Sequence, residues 1–531
     1  MRKRTAARSV AAVVGAAMVL TACGGGNNAA ATTAAAGGSE TQATAESSGG
    51  GNITKTDIVF AQASDVVTLD PAGQQDTTSG VLMNHVYSTL LDIDDDGNLV
   101  PDLAESYEMK SDTEYTFTLR QDACFSDGTP VTAKDVKFTF DRAKDMPKTK
   151  SNTSKIEEVI ADDDHHVTFK LTQPYAAFKT IVTQTNLSIV SEAAVTAAGE
   201  SYGDVDNILG SGAFTVTEWV PNDHYTLARN EKYWGEMPIA TTITCRVIPE
   251  GSARAIALEA GEVDLVWNVD ATDCANIEAN PDVTLLSQTS SSIEYLGMNT
   301  EKEKFADVRV RQAINYALDK QTFVDTIIEG RGTIANSYIN SMIPGWTDEV
   351  EAYPYDPAKA KELLAEAGYP NGFECKIYVN GDVRTRSAQI VQAQLAEVGI
   401  TVDISTYEWG ALLDALSAGE HEMFLLGWSN SSFDADGSTY QVFYSENHGA
   451  TGNRAFLTDD KVDELIINAQ KESDDTKRME LYKELQVYLH EISPWCPLYY
   501  RNDNVGVRAD LKGFKLHKGA QHYLGNCHYE D

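Results

Sequence analysis

The chain has 531 residues, 42% of them hydrophobic, which is enough apolar material for one large or several medium cores and excludes disorder over most of its length. Its 42 Lys and Arg stand against 79 Asp and Glu, a net charge of -37. A surface this acidic repels phosphate backbones and anionic headgroups alike, so nucleic acid is excluded as a partner.

In chain order, the first element is a targeting segment. Arg2, Lys3, Arg4 and Arg8 precede the apolar run ending at Leu20, which is too short to span a bilayer as a permanent helix, so residues 1–22 read as a signal peptide. Leu20-Thr21-Ala22-Cys23 matches the lipobox of bacterial lipoproteins, in which small residues admit the peptidase and the Cys23 thiol takes the diacylglyceryl group. The alternative is an ordinary signal cleaved elsewhere, with Cys23 incidental. Residues 24–52 are mostly Gly, Ala, Ser and Thr and cannot repay the entropy of folding. With Cys23 they form a tether whose root-mean-square reach is roughly 30 Å.

Beyond the tether, no second linker and no apolar run of membrane length appears, and the pattern is α/β throughout. Thr113–Arg120 and His166–Leu171 alternate as half-buried strands. Asp92, Asp94, Asp96 and Gly97 imitate the start of a calcium loop, but Leu103 stands where a bidentate Glu is required, so a turn between strands is expected. Asp162 to Asp164 with His165 and His166 read as another turn. Gly199-Glu200-Ser201-Tyr202-Gly203 has the form of a nucleophile elbow, yet a helix rather than a strand precedes it, which argues against hydrolysis. Asp356 caps a helix with Pro357 at its first position, carrying Ala360, Leu363, Leu364 and Ala367 as one stripe and ending at Gly368. A helix over Gln389–Val398, a strand over Ile400–Tyr407, a helix around Leu412–Leu416 and a strand over Met423–Trp428 follow, which predicts a sheet covered by helices. Cys245 and Cys375 occupy inward positions of strands. Whether the six cysteines other than Cys23 are paired or free stays open. His517, His522, Cys527 and His528 have metal-ligand types at a spacing that fits no compact site.

Several blocks now resemble one family, the extracellular solute-binding proteins of peptide and nickel importers, family 5. They are LDP at 69–71, PDLAESYE at 101–108, YTFTLRQDACFSDGTPVTAKDV at 115–136, GSGAF at 210–214, GEVDL at 261–265, the segment 293–320, YDPAKAKELLAEAGY at 355–369 and YEWGALLDALSAGEHEMFLLGW at 407–428. Dipeptide- and glutathione-binding members look most similar. The resemblance implies a two-lobe clamp of the periplasmic-binding-protein type (type II, cluster C) with hinge strands. In it, residues 53–297 and 498–531 build the first lobe and 298–497 the second, with crossings near Tyr295–Asn299 and Pro497–Arg501. It further implies capture rather than catalysis, with no cofactor. The expected partners are a peptide or peptide-like solute and the permease and ATPase subunits of an ABC importer, and the expected state is a monomer tied by its lipid to the outer face of the cytoplasmic membrane. A nickel chelate or an oligosaccharide is the alternative solute, and an exported hydrolase the alternative class.

Trp409 and Trp428 match family positions that line the ligand cavity, where flat apolar surfaces hold varied side chains; packing inside a lobe core is the bland alternative. Family binders carry an Asp three residues past the second Trp, whereas this chain has Ser431. Asp434 and Asp436 in FDADG are the candidates to receive the solute's ammonium instead, against a solvated Asp-Gly turn. The family's carboxylate-clamping Arg falls near Tyr378, leaving Arg384 and Arg386, two arginines placed before a helix, as its candidate replacements. Loss of both clamps argues for a solute other than a free dipeptide. From the first lobe, Ser64 and the loop Gly210-Ser211-Gly212 are the expected contributors.

Overall fold

The computed structural model describes residues 52–531. The predicted signal peptide, Cys23 and all but the last residue of the tether lie outside the described residues. No helix among the described residues is long and apolar enough to cross a membrane.

An eleven-stranded mixed sheet organises the body. Its middle is made by two long antiparallel strands, Val283–Met298 and Trp495–Arg508, which come from distant parts of the chain. On one side, Val283–Met298 pairs with Met423–Ser429, which leads through Glu374–Val379 to Thr401–Thr406 at the edge, these three being mutually parallel. On the other, Trp495–Arg508 pairs with Leu265–Val266, which leads through Asp57–Gln62, Thr242–Val247 and His224–Arg229 to Phe214–Val220. A separate four-stranded antiparallel sheet joins Ala104–Ser111, Glu114–Leu119, His166–Leu171 and Ile156–Ala161, burying Phe117, Phe169 and Phe178 against one another.

The long strands are not paired evenly. Their register runs from Val283 opposite Arg508 to Thr289 opposite Asn502, breaks, and resumes at Ile293 opposite Tyr500. Ser290, Ser291 and Ser292 therefore stand against Arg501 alone, and such a bulge bends a strand and sharpens its twist. The strands are held firmly past the break, where Tyr295 stacks on Trp495 with ring centroids 3.5 Å apart.

Local structure follows the residue chemistry closely at most predicted elements. Strands occur at Glu114–Leu119 and His166–Leu171, and the Asp-rich segments at 92–97 and 162–166 lie at turns beside strands. Asp356 accepts the Lys359 amide at 2.9 Å and starts the helix Pro357–Glu366, and Gly368 takes a φ of +93° just past its end. The helix Glu192–Ala198 precedes Gly199, so the G-x-S-x-G segment is no elbow, and Ser201 Oγ donates to the Ala198 carbonyl. All six described cysteines are free, and five of them, Cys245 and Cys375 included, are buried.

One boundary moves. The helix expected over Gln389–Val398 spans Gly381–Glu397, because Gly381 adopts a φ of +68° and turns the chain directly from strand into helix. Arg384 and Arg386 thus sit on its first turns rather than ahead of it.

Candidate functional site

A cavity of about 370 Å³ opens against the uneven stretch of the long strands. Tyr499, Arg501, Asp503 and Val505 alternate along Trp495–Arg508 and enter its wall together with Asn502 and Asn504, beside Glu294 from the facing strand. The end of Asp57–Gln62 supplies Gln62 and Ser64, the turn entering the helix Thr77–Val86 supplies Asp76, and the loop around Leu265–Val266 supplies Trp267 and Asp270. The opposite wall comes from Arg384, Trp409, Trp428, Ser431 and Arg454.

The two tryptophans present different faces. Trp428 lies at the end of its strand, its indole N–H donating to the Gly437 carbonyl at 2.8 Å, so that hydrogen bond fixes the ring while its body lines the cavity. Trp409 begins the helix Trp409–Ser417. Its buried N–H faces the Asp76 carboxylate, although neither Trp409 Nε1 nor Asp76 Oδ2 completes a hydrogen bond. Burial raises the Asp76 carboxyl above its ordinary value.

Arg384 lines the cavity but is already engaged: its guanidinium holds Glu294 through Nη2–Oε1 at 3.1 Å and Nε–Oε2 at 3.2 Å, and it donates to Asn380 Oδ1 at 2.9 Å. Arg386 lies 3.7 Å from Asp270, which Arg254 also approaches at 3.4 Å, and is outside the lining. Ser64 and Ser431 do line the cavity.

Asp434 and Asp436 do not. Asp434 caps a short 3-10 turn, Ala435–Ser438, and pairs with Arg478, whose Nη1 donates to Oδ2 at 2.9 Å. Asp436, 1% exposed, accepts from the Tyr175 hydroxyl at 2.6 Å and from Gln470 Nε2 at 2.9 Å. Neither carboxylate is a solvated turn residue; both are spent on internal partners. Gly210, Ser211 and Gly212 are likewise outside the lining; the two glycines lie close against the backbone of His85 and Val86, and the Ser211 carbonyl accepts from Trp234 Nε1 at 2.9 Å.

Burial, and next the charge of Asp434, push the Asp436 carboxyl up to about 6. The folded protein therefore keeps a proton that the unfolded chain gives up above its ordinary value of 3.8. Stability from this group falls as pH rises from about 4 to about 6 and is level beyond, a loss on the order of 3 kcal/mol for a two-unit shift. Asp436→Asn is expected to remove that slope, as read from urea unfolding of both proteins at acidic and neutral pH.

Sequence reasoning missed Asp76, Gln62, Trp267, Arg454 and Asp503, all on the cavity wall. Only Asp76 left a signal, as a helix cap ahead of Thr77. Both amide atoms of Gln62, Trp267 Nε1, Trp409 Nε1 and Gln521 Oε1 are buried with no protein partner among the described residues. Donors and acceptors are thus both left over in one space walled by aromatic and polar side chains, an arrangement suited to an amide-rich solute. No group of three or more His, Cys, Asp or Glu among the described residues is placed to hold a metal.

Residues 98–450 match the bacterial extracellular solute-binding proteins, family 5, in the middle region of that family. The chain is 32% identical over 471 residues to the glutathione-binding protein GsiB of Escherichia coli K12, covering 86% of this chain and 91% of that one. Among solved structures, the periplasmic binding protein DppA of Helicobacter pylori, in complex with the peptide STSA, superposes with a TM-score of 0.86 at 29% identity, covering 90% of this chain and 99% of that one. AgaA of A. tumefaciens R10, in complex with agropinic acid, does so with a TM-score of 0.83 at 27% identity, over 90% and 99% of the two chains.

Proposed function

Because the chain belongs to the bacterial extracellular solute-binding proteins of family 5, a family of binders for ABC importers with the two-lobe clamp fold, we propose that its cavity captures a peptide or peptide-like solute for delivery to a membrane permease. One observation carries the reading: the cavity lies at the bulged long strands and takes residues from both sequence regions assigned to separate lobes. Asp76, Trp267 and Asp503 come from 53–297 and 498–531, and Arg384, Trp409 and Trp428 come from 298–497. A solute touching both sets favours the closed form in proportion to its preference for that form over the open one. The register break at Ser290–Ser292 and Arg501 is the natural place for the two regions to flex.

The same reading keeps the lipid on Cys23 as the anchor and the protein as a monomer outside the cytoplasmic membrane. The similarity to a glutathione binder and to a peptide complex supports a peptide-like solute. So do the leftover amide partners on the wall.

Thermal-shift screening against dipeptides, oligopeptides, glutathione, sugars and nickel chelates tests the solute class, and small-angle scattering tests closure. A stabilising peptide-type solute with a smaller radius of gyration in its complex is expected; stabilisation by sugars or chelates alone would refute the assignment. Trp428→Ala is expected to weaken binding of the stabilising solute by about 10-fold or more, since a buried aromatic contributes a few kcal/mol of contact, with the unfolding midpoint nearly kept. Calorimetry showing unchanged affinity would take Trp428 out of the site.

A further inference from the structure

Five arginines reach the cavity wall of this strongly acidic chain, and four of them are matched by carboxylates. Arg254 has Asp270, Arg331 has Glu278, Arg384 has Glu294, and Arg501 lies between Glu294 and Asp503. Arg454 is different. It is only 3% exposed, yet its guanidinium has no ion pair and no hydrogen bond to any described residue, and its Nε is fully buried. A guanidinium withdrawn from water without a partner is costly, so a protein that keeps one has a reason outside its own packing.

Its position is set rigidly. The Arg454 carbonyl accepts from His421 Nε2 at 2.7 Å, Asn453 Nδ2 donates to the Leu457 carbonyl at 2.9 Å, and Ala455 is fully buried. Besides the Tyr295 hydroxyl, the one acidic group among the described residues whose charge is felt at Arg454 is the Asp76 carboxylate. The two do not touch. Asp76 spends Oδ1 on the Ser79 amide at 2.9 Å, capping the helix Thr77–Val86, and leaves Oδ2 buried and unpaired. A cation and an anion on facing walls of one cavity, close enough to feel each other's charge and each with an unfilled valence, fit a group that carries both opposite charges a short distance from each other.

We propose that Arg454 receives a carboxylate of the solute while Asp76 receives an ammonium on the same carbon, so that this end of the cavity recognises an α-amino-acid head group. A guanidinium fork and a carboxylate pair in two parallel hydrogen bonds, which gives direction as well as strength. An α-linked dipeptide carries its ammonium and its carboxylate on different carbons, at opposite ends of the molecule. A peptide joined through a side-chain carboxyl, as in γ-glutamyl linkage, keeps them on one carbon. The inference rests on the peptide-like reading of the cavity and narrows it to solutes with a free α-amino-acid end.

The test is calorimetry on the full mature protein and on Arg454→Gln and Arg454→Lys, using γ-glutamylglycine, the same compound with its glutamyl α-carboxylate amidated, and alanylalanine. The wild type is expected to bind γ-glutamylglycine and to lose on the order of 100-fold in affinity upon amidation or in Arg454→Gln, with part of it restored in Arg454→Lys. Because the guanidinium has no protein partner, solute-free Arg454→Gln is expected to unfold at or above the wild-type temperature. Indifference of γ-glutamylglycine affinity to Arg454→Gln, no binding of that compound, or a marked fall in the solute-free unfolding temperature overturns the inference. Binding of alanylalanine, or of any peptide in the thermal-shift panel, in the first two cases leaves the peptide-like reading standing, whereas binding of none of them removes that reading as well.

Discussion

Gly210→Ala is expected to lower the unfolding free energy by about 3 kcal/mol or more, toward the upper end of what overpacking costs, without changing the solute affinity of the molecules that remain folded. An added Cβ would lie 1.9 Å from the Val86 carbonyl oxygen and 2.9 Å from its carbon, both backbone atoms. Neither side can yield cheaply. The Val86 oxygen already accepts the Gly212 amide at 2.9 Å, and the Gly210 carbonyl accepts the Ser126 amide at 2.9 Å. Ser211→Ala is the matched control, because its buried hydroxyl has no partner to lose. Denaturant unfolding of the three proteins, followed by calorimetry of the folded fraction, separates a structural loop from a ligand loop. A loss of affinity with stability intact would return Gly210 to the site.

The second large effect is Asp434→Ala, expected to cost about 3 to 5 kcal/mol because it strands Arg478 as an unpaired buried charge. The Arg478 and Asp434 side chains are 7% and 12% exposed, and Arg478 also donates to the Tyr482 hydroxyl at 3.2 Å. The double replacement Asp434→Leu with Arg478→Met removes both charges and is expected to recover most of the loss, since desolvation of the pair offsets much of its attraction. Solute affinity is expected to stay within about 3-fold of the wild type, as the pair lies outside the cavity wall. Affinity that collapses with stability retained would show Asp434 to be a ligand residue after all.

These two predictions also mark where sequence reading succeeds and fails. Elements with a short-range signature were legible: the Asp356-Pro357 start and Gly368 end of one helix, the alternation of His166–Leu171, the cysteines on inward strand positions. The tryptophans of the motif around 407–428 were legible too, and both reach the cavity. What was not legible depends on partners far away in the chain. Asp434 and Asp436 sit in a segment that reads as a polar turn, and only Arg478, Tyr175 and Gln470, which are distant in sequence, turn them inward. Arg384 has the residue type of a carboxylate clamp, but Glu294, 90 positions away, occupies its fork. Arg454 stands in a stretch with no motif at all; its interest lies in a missing partner, and a missing partner cannot be read from neighbours in a sequence. The early start of Gly381–Glu397 turns on one glycine at positive φ, a state the residue permits but does not announce.

The two long strands at the middle of the sheet have a consequence for the order of assembly. Val283–Met298 has Met423–Ser429 on one side, but only Trp495–Arg508, late in the chain, links it to Leu265–Val266 and the strands beyond, so the polypeptide must close a very long loop before the sheet becomes continuous. Pairings of such sequence separation make folding slow. While the chain is being synthesised or threaded through a translocation channel, the last stretch to emerge is the one that joins the two halves, and until then each half exposes an unsatisfied strand edge. A tail lost to early termination would leave behind two sheets with nothing between them.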